Sequence, residues 1–292
     1  MAAEQGSGLS KRARRTIIAV VVIVIVLIGI IGYAAAGYAY ATTRVAVADT
    51  SLNTVISHQN SLNTTFKDIN TKFNGLSSTA ASDPKQARTL IDQFVANART
   101  AGTTVDKDDS SLVSARASLK EQQWLTVVSR GNLDQEAARI GHARKALAQA
   151  KMIAGDYVQD GEFIQAYLDA MVDLDTFVTQ SATADLPGAK VTLASLSTHV
   201  DKALQLSTAP GLPSELHNLL VDFQALVGDF GKLLDAVAAN NDKAIISAEA
   251  KVNADADKIA TYNLDQISTQ IYAYYQPLVE VFNSEMAKAT AS

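Results

Sequence analysis

From Thr16 to Thr43 the chain has no charged residue, and the run opens with the β-branched stretch Ile17 to Val26 before Leu27, Ile28, Ile30 and Ile31. As a helix rising about 1.5 Å per residue it is longer than the roughly 30 Å of bilayer hydrocarbon. The pattern therefore predicts a transmembrane signal-anchor helix over 16–43, with the lipid bilayer as its partner. Lys11, Arg12, Arg14 and Arg15 precede it, Arg44 alone follows closely, and Tyr33, Tyr38 and Tyr40 fall at its far end. That asymmetry predicts a cytoplasmic basic tail over 1–15 and an extracytoplasmic domain over 44–292, held at the cell membrane by a single pass. A cleaved secretory signal also fits, given Ala34-Ala35-Ala36 and Ala39-Tyr40-Ala41, and would give a secreted protein.

Beyond the anchor the spacing is helical nearly throughout. Val45, Ala48, Leu52, Val55, Gln59, Leu62, Phe66, Ile69, Phe73 and Leu76 alternate steps of 3 and 4. This is the narrow seam of a coiled coil, with Gln59 its one polar member, and it predicts a stalk that needs a partner helix from this chain or from a second copy. Pro84 opens the next helix, in which Ile91, Ala98, Val105, Leu112 and Leu119 recur every seven residues and Asp108 falls in the seam. A reversal at Arg130-Gly131-Asn132 leads to Leu133, Ile140 and Leu147. A bend is expected between Gly155 and Gly161, where Asp156 and Asp160 interrupt the apolar face. The stripe resumes at Ile164, Leu168 and Met171 and ends at Asp185-Leu186-Pro187-Gly188.

A short helix carries Leu193, Leu196, Val200 and Ala203, and a broader one runs from Leu216 to Val237. The last is expected as one helix from Asn241 through Ile245, Ile259, Ile267, Tyr274 and Val281, kinked at Pro277. No strand pattern occurs outside the anchor. The fold class is thus all-α: a membrane helix continuing into an antiparallel bundle of about six long and short helices. Their lengths suggest two stacked four-helix modules sharing the long helices. In outline this resembles the bimodular helical sensing domains of some bacterial chemoreceptors, a likeness of shape that rests on no shared motif.

Composition narrows the classes of function. The chain has 292 residues, no Cys, and 25 Lys+Arg against 30 Asp+Glu. Zero Cys excludes disulfide scaffolds and thiol chemistry, and an acidic balance speaks against a nucleic-acid partner. His58, His142, His199 and His217 are scattered without metal-ligand spacing, and no nucleophile, phosphate-loop or zinc motif occurs. No cofactor is expected, and the chain is read as a non-enzyme.

Charge is uneven along the chain. Between Lys151 and Lys190 there is no base, while seven acids occur. Glu162, Asp169 and Asp173 project onto one stripe opposite the apolar face, a solvated face or an acidic surface for a basic partner. Asp175 projects among Ile164, Leu168 and Met171, which marks it as a candidate ligand contact if buried. The expected role is protein–protein assembly or scaffolding at the cell envelope, through a protein partner or a homo-oligomer. The alternative is a ligand-binding or sensing ectodomain that signals through a separate partner, and an extracytoplasmic enzyme ranks last.

Overall fold

The computed structural model describes residues 33–61, 64, 84–121 and 124–291. Within them the chain folds as α1 over residues 33–61, α2 (Pro84–Lys120), α3 (Arg130–Ala182), α4 (Leu186–Leu206), α5 (Ser214–Ala238), α6 (Asp242–Ile259) and α7 (Leu264–Thr290), with a 3-10 turn at Val127–Ser129. No strand occurs among the described residues, and the fold is an all-α bundle. Most of the predicted anchor, 16–32, lies outside the described residues, as do Leu62, Phe66, Ile69, Phe73 and Leu76 of the seam. Among the described residues no helix is long and apolar enough to cross a membrane.

The heptad register sets the faces. All five seven-residue positions of α2, from Ile91 to Leu119, are buried, as are Ala48, Leu52, Val55 and Gln59 of α1. Ion pairs fix the directions. Arg44 bonds Ser118 and His58 meets Asp108, so α1 is antiparallel to α2; Arg144 meets Asp109 and Lys151 meets Asp106, so α2 is antiparallel to α3. His142 meets Glu285, and the Arg139 Nε donates to the Ala289 carbonyl, which sets α7 antiparallel to α3. The α1 seam is therefore covered within the chain, by α2, α3 and α7, in one apolar cluster. A second cluster joins the later half of α3 to α4, α5 and the start of α7, and a small third one joins the start of α2 to α3 around Leu168.

Local chemistry explains where helices stop. Asp185 caps α4 by accepting from the Gly188 N–H, and Asn241 caps α6 by accepting from Ala244. Two expectations need correction. The chain has no reversal at Arg130-Gly131-Asn132: after turn residues at 121, 124 and 125 and the 3-10 turn at Val127–Ser129, α3 begins at Arg130 itself. Across Gly155 to Gly161, where a bend is expected, α3 runs on as one helix, and Gly161 lets α2 approach: a Cβ there would lie 2.4 Å from Val95 Cγ2. The last helix is two helices, broken at 260–263, where the Asn263 side chain accepts from the Gln266 N–H; Pro277 stays inside α7. That break resets the register, so Tyr275 is buried at 7% exposure and Tyr274, the expected seam residue, is 37% exposed.

Candidate functional site

An acid–tyrosine cluster sits where the two larger apolar clusters meet on α3. Asp156 and Asp160, one helical turn apart, share a face, and both are buried. Burial of two carboxylates requires partners, and α7 brings them. Tyr275 Oη donates to Asp160 Oδ2 at 2.6 Å, and Tyr274 Oη donates to Asp156 Oδ2 at 3.2 Å. The rings close the cluster: Tyr157 lies 4.8 Å from Tyr275 and 5.5 Å from Phe94 of α2, and Tyr274 meets Tyr275 edge-on at 5.1 Å. Gly211, in the turn between α4 and α5, completes the wall at φ +88°; a Cβ there would lie 2.9 Å from Tyr274 Cδ1 and 3.1 Å from Tyr275 Oη.

The electrostatics follow from enclosure. Asp160 is pushed up to about 7, first by burial and further by the neighbouring Asp156 charge, with the Tyr275 hydroxyl opposing. Burial also raises Asp156, against the Tyr274 hydrogen bond. Tyr275 is held well above the usual phenol range by burial and by Asp160, and Tyr157 is raised for the same reasons. Asp160 Oδ1 is buried with no hydrogen-bond partner. Near neutral pH this carboxyl is poised between its two forms, and a protonated carboxyl is the cheaper state beside an unpartnered oxygen. The phenols of the cluster act as donors, and among the described residues no imidazole or amine joins it, so these residues form no activated nucleophile–base pair.

The residues marked out by the sequence fall elsewhere. Glu162 meets Arg99 at 2.6 Å, Asp169 meets Arg88 at 3.0 Å and Asp173 meets His199 Nδ1 at 2.8 Å. The acidic stripe thus ties α3 to α2 and to α4, and each of its carboxylates already has a partner. Asp175 is exposed, against the expectation of a buried carboxylate. The reason is the limit of α2, which begins at Pro84: Leu168 packs against Ala87 and Ile91, but past that level Met171, 38% exposed, and Asp175 have no described helix over them. In the coiled-coil seam Gln59 donates to Asp108 Oδ2 at 3.3 Å while His58 Nδ1 lies 2.8 Å from Oδ1, so the polar seam residues of two helices satisfy each other.

Asp156 and Asp160 fall in the segment expected as a bend. Their signal was present, as two acids one turn apart interrupting an apolar stripe, but their partners lie 118 and 115 positions away.

Two open hollows lie apart from this cluster. One of about 360 Å³ is lined by Glu215, Tyr262, Asn263 and Ile267. The other, about 480 Å³, is lined by Arg116, Gly141, His142, Arg144 and Lys145. Its bases are largely matched, Arg144 to Asp109 and His142 to Glu285. No group of three His, Asp or Glu among the described residues is arranged to hold a metal. Compared with protein-family models, with curated proteins and with solved structures, the chain gives no match.

Proposed function

We propose that the chain is a single-pass membrane protein of the cell envelope whose extracytoplasmic helical bundle has a non-catalytic role in assembly or scaffolding. The supporting observation is the place of α1: it carries the end of the uncharged run from Thr16 into the bundle, with Ala41 buried, and its seam residues Ala48, Leu52 and Val55 are fully covered by helices of the same chain. A bundle closed on itself needs no second copy for its core, and the preceding run is left to the bilayer. We read the apolar clusters as two stacked modules sharing α3 and α7. Ligand sensing is the second reading, favoured by the unpartnered Asp160 oxygen between those modules.

Because the chain has no Cys, single-cysteine labelling tests the topology cleanly. With Ser7→Cys and Val178→Cys chains in intact cells, a membrane-impermeant maleimide is expected to label position 178 only, and position 7 after permeabilisation. The opposite order, or a mature chain lacking its first forty or so residues, overturns the topology. Detergent-solubilised material is expected to contain a stoichiometric second protein, and a lone monomer overturns the assembly role. A thermal shift with small amines, organic acids or divalent ions that Asp160→Asn abolishes would favour sensing.

A further inference from the structure

Trp124, the chain's one tryptophan, is 65% exposed, and Val127 beside it is 62% exposed. Both sit in the turn between α2 and α3. Turns facing water favour Gly, Asn, Asp and Ser, whereas this one reads Trp124-Leu125-Thr126-Val127. Its position is fixed by α1. The Trp124 ring lies 6.2 Å from that of Tyr33, and a Cβ added at Gly37 would fall 2.0 Å from the Leu125 carbonyl oxygen. Arg44, whose guanidinium stacks 4.5 Å over the Tyr40 ring, donates to the Ser118 carbonyl and pairs with Glu121. The turn therefore stands level with residues 33–44, where the uncharged run ends.

Tyr38, 61% exposed, adds a third aromatic side chain at that level. Trp and Tyr, apolar in the ring and polar at the N–H or O–H, concentrate at the water–hydrocarbon boundary of membranes. Exposed Lys120 and Arg130 flank the turn and suit the phosphate layer above it. Resting on the reading that the run from Thr16 crosses the bilayer, we propose that the α2–α3 turn is a second membrane contact: Trp124 and Val127 enter the interfacial layer of the outer leaflet beside Tyr33 and Tyr38. One helix alone leaves the bundle free to tilt and rotate. Two contacts set its depth and orientation.

Because Trp124 is the one tryptophan, its fluorescence in the full chain reports this directly. The protein is reconstituted into phosphatidylcholine vesicles whose acyl chains are brominated near the headgroup, and vesicle flotation after carbonate wash is measured on the same samples. Expected are strong quenching by the brominated lipid and iodide quenching about threefold weaker than that of free tryptophan. Chains that float, yet are quenched freely by iodide and not by brominated lipid, overturn the second contact and leave the anchor standing. Chains that do not float overturn the anchor itself, and the second contact with it.

Discussion

The two ends of the bundle are held together differently. Where α1 and the beginning of α3 meet the ends of α2 and α7, the buried positions include Ala41, Ala48, Ala101, Ala115, Ala143, Ala150, Ala154 and Ala289, with Leu52, Leu112, Ile140 and Leu147 between them. Where the later half of α3 meets α4 and α5, Phe163, Phe177 and Phe223 pack with Leu196, Leu216, Leu219 and Leu220, and the Phe177 and Phe230 rings lie 4.9 Å apart. Small side chains let helices approach closely but remove less apolar area from water per residue. The alanine end is also laced by charge: Arg139 to Glu136 and Asp49, Arg144 to Asp109, His142 to Glu285. Polar pairs discriminate one helix register from the next where alanines alone would not. Ion pairs also line the phenylalanine end, Lys258 to Asp222 and Lys190 to Asp235, so the comparison teaches that one helix, α3, runs through a region of small, closely packed side chains and a region stabilised by bulk.

Truncation separates the two regions most. Leu220→Ala, at a fully buried site of the phenylalanine end, is expected to cost about 3–5 kcal/mol in urea unfolding. A loss below about 1 kcal/mol would mean that this end is not the thermodynamic core.

The junction comes next. Asp160 is raised in the folded chain, so the folded state holds the extra proton between the ordinary carboxylate range and about 7. The contribution of Asp160 to stability is then greatest below the ordinary carboxylate range, falls as pH rises toward 7, and levels off above it. Asp160→Asn, which retains an acceptor for Tyr275, is expected to stabilise the chain by about 2–4 kcal/mol at pH 8 and to flatten the slope between pH 4 and 7. An unchanged slope would show that Asp160 does not titrate there. Glu285 works in the opposite direction: His142 and Lys288 hold it down at about 2, so its contribution is present above the ordinary glutamate range and is lost as pH falls toward 2. Asp222 and Asp229 at the phenylalanine end are also lowered, by Lys258 and Lys232, so the contributions lost in acid come from both ends.

Overpacking probes the alanine end. Ala143→Leu, at a position with no exposed surface, is expected to cost about 1–3 kcal/mol and to loosen amide protection first in α1 and α7. Protection lost first in α5 instead would mean that the two ends are not separable.

Smallest are the ion pairs. Arg144 and Asp109 are each more than a third exposed, so screening reduces their two hydrogen bonds to a coupling below about 1 kcal/mol in a double-mutant cycle, fading further in molar salt. A salt-independent coupling well above that would assign the alanine end its stability through charge after all.

Much of the fold was legible as pattern. The seven-residue positions of α2 and the residues Leu193, Leu196, Val200 and Ala203 of α4 all do what their spacing implies. The break at Asn263 was legible too, as an Asn followed three residues later by Gln, but the apolar stripe running across it masked the cap. The acid–tyrosine cluster was not legible as a site, since neither Asp160 nor Tyr275 carries a signal pointing to the other.

What the sequence determined by itself is which face of each helix is apolar, because side-chain direction repeats with the turn of the backbone and needs no knowledge of neighbours. What only the tertiary structure decided is what covers each face. Asp160 became a buried carboxyl because α7 arrives with a phenol. Asp175, on an equally apolar stripe, became a surface residue because no described helix lies over it. Burial is a property of pairs of elements, and periodicity within one element cannot name its partner.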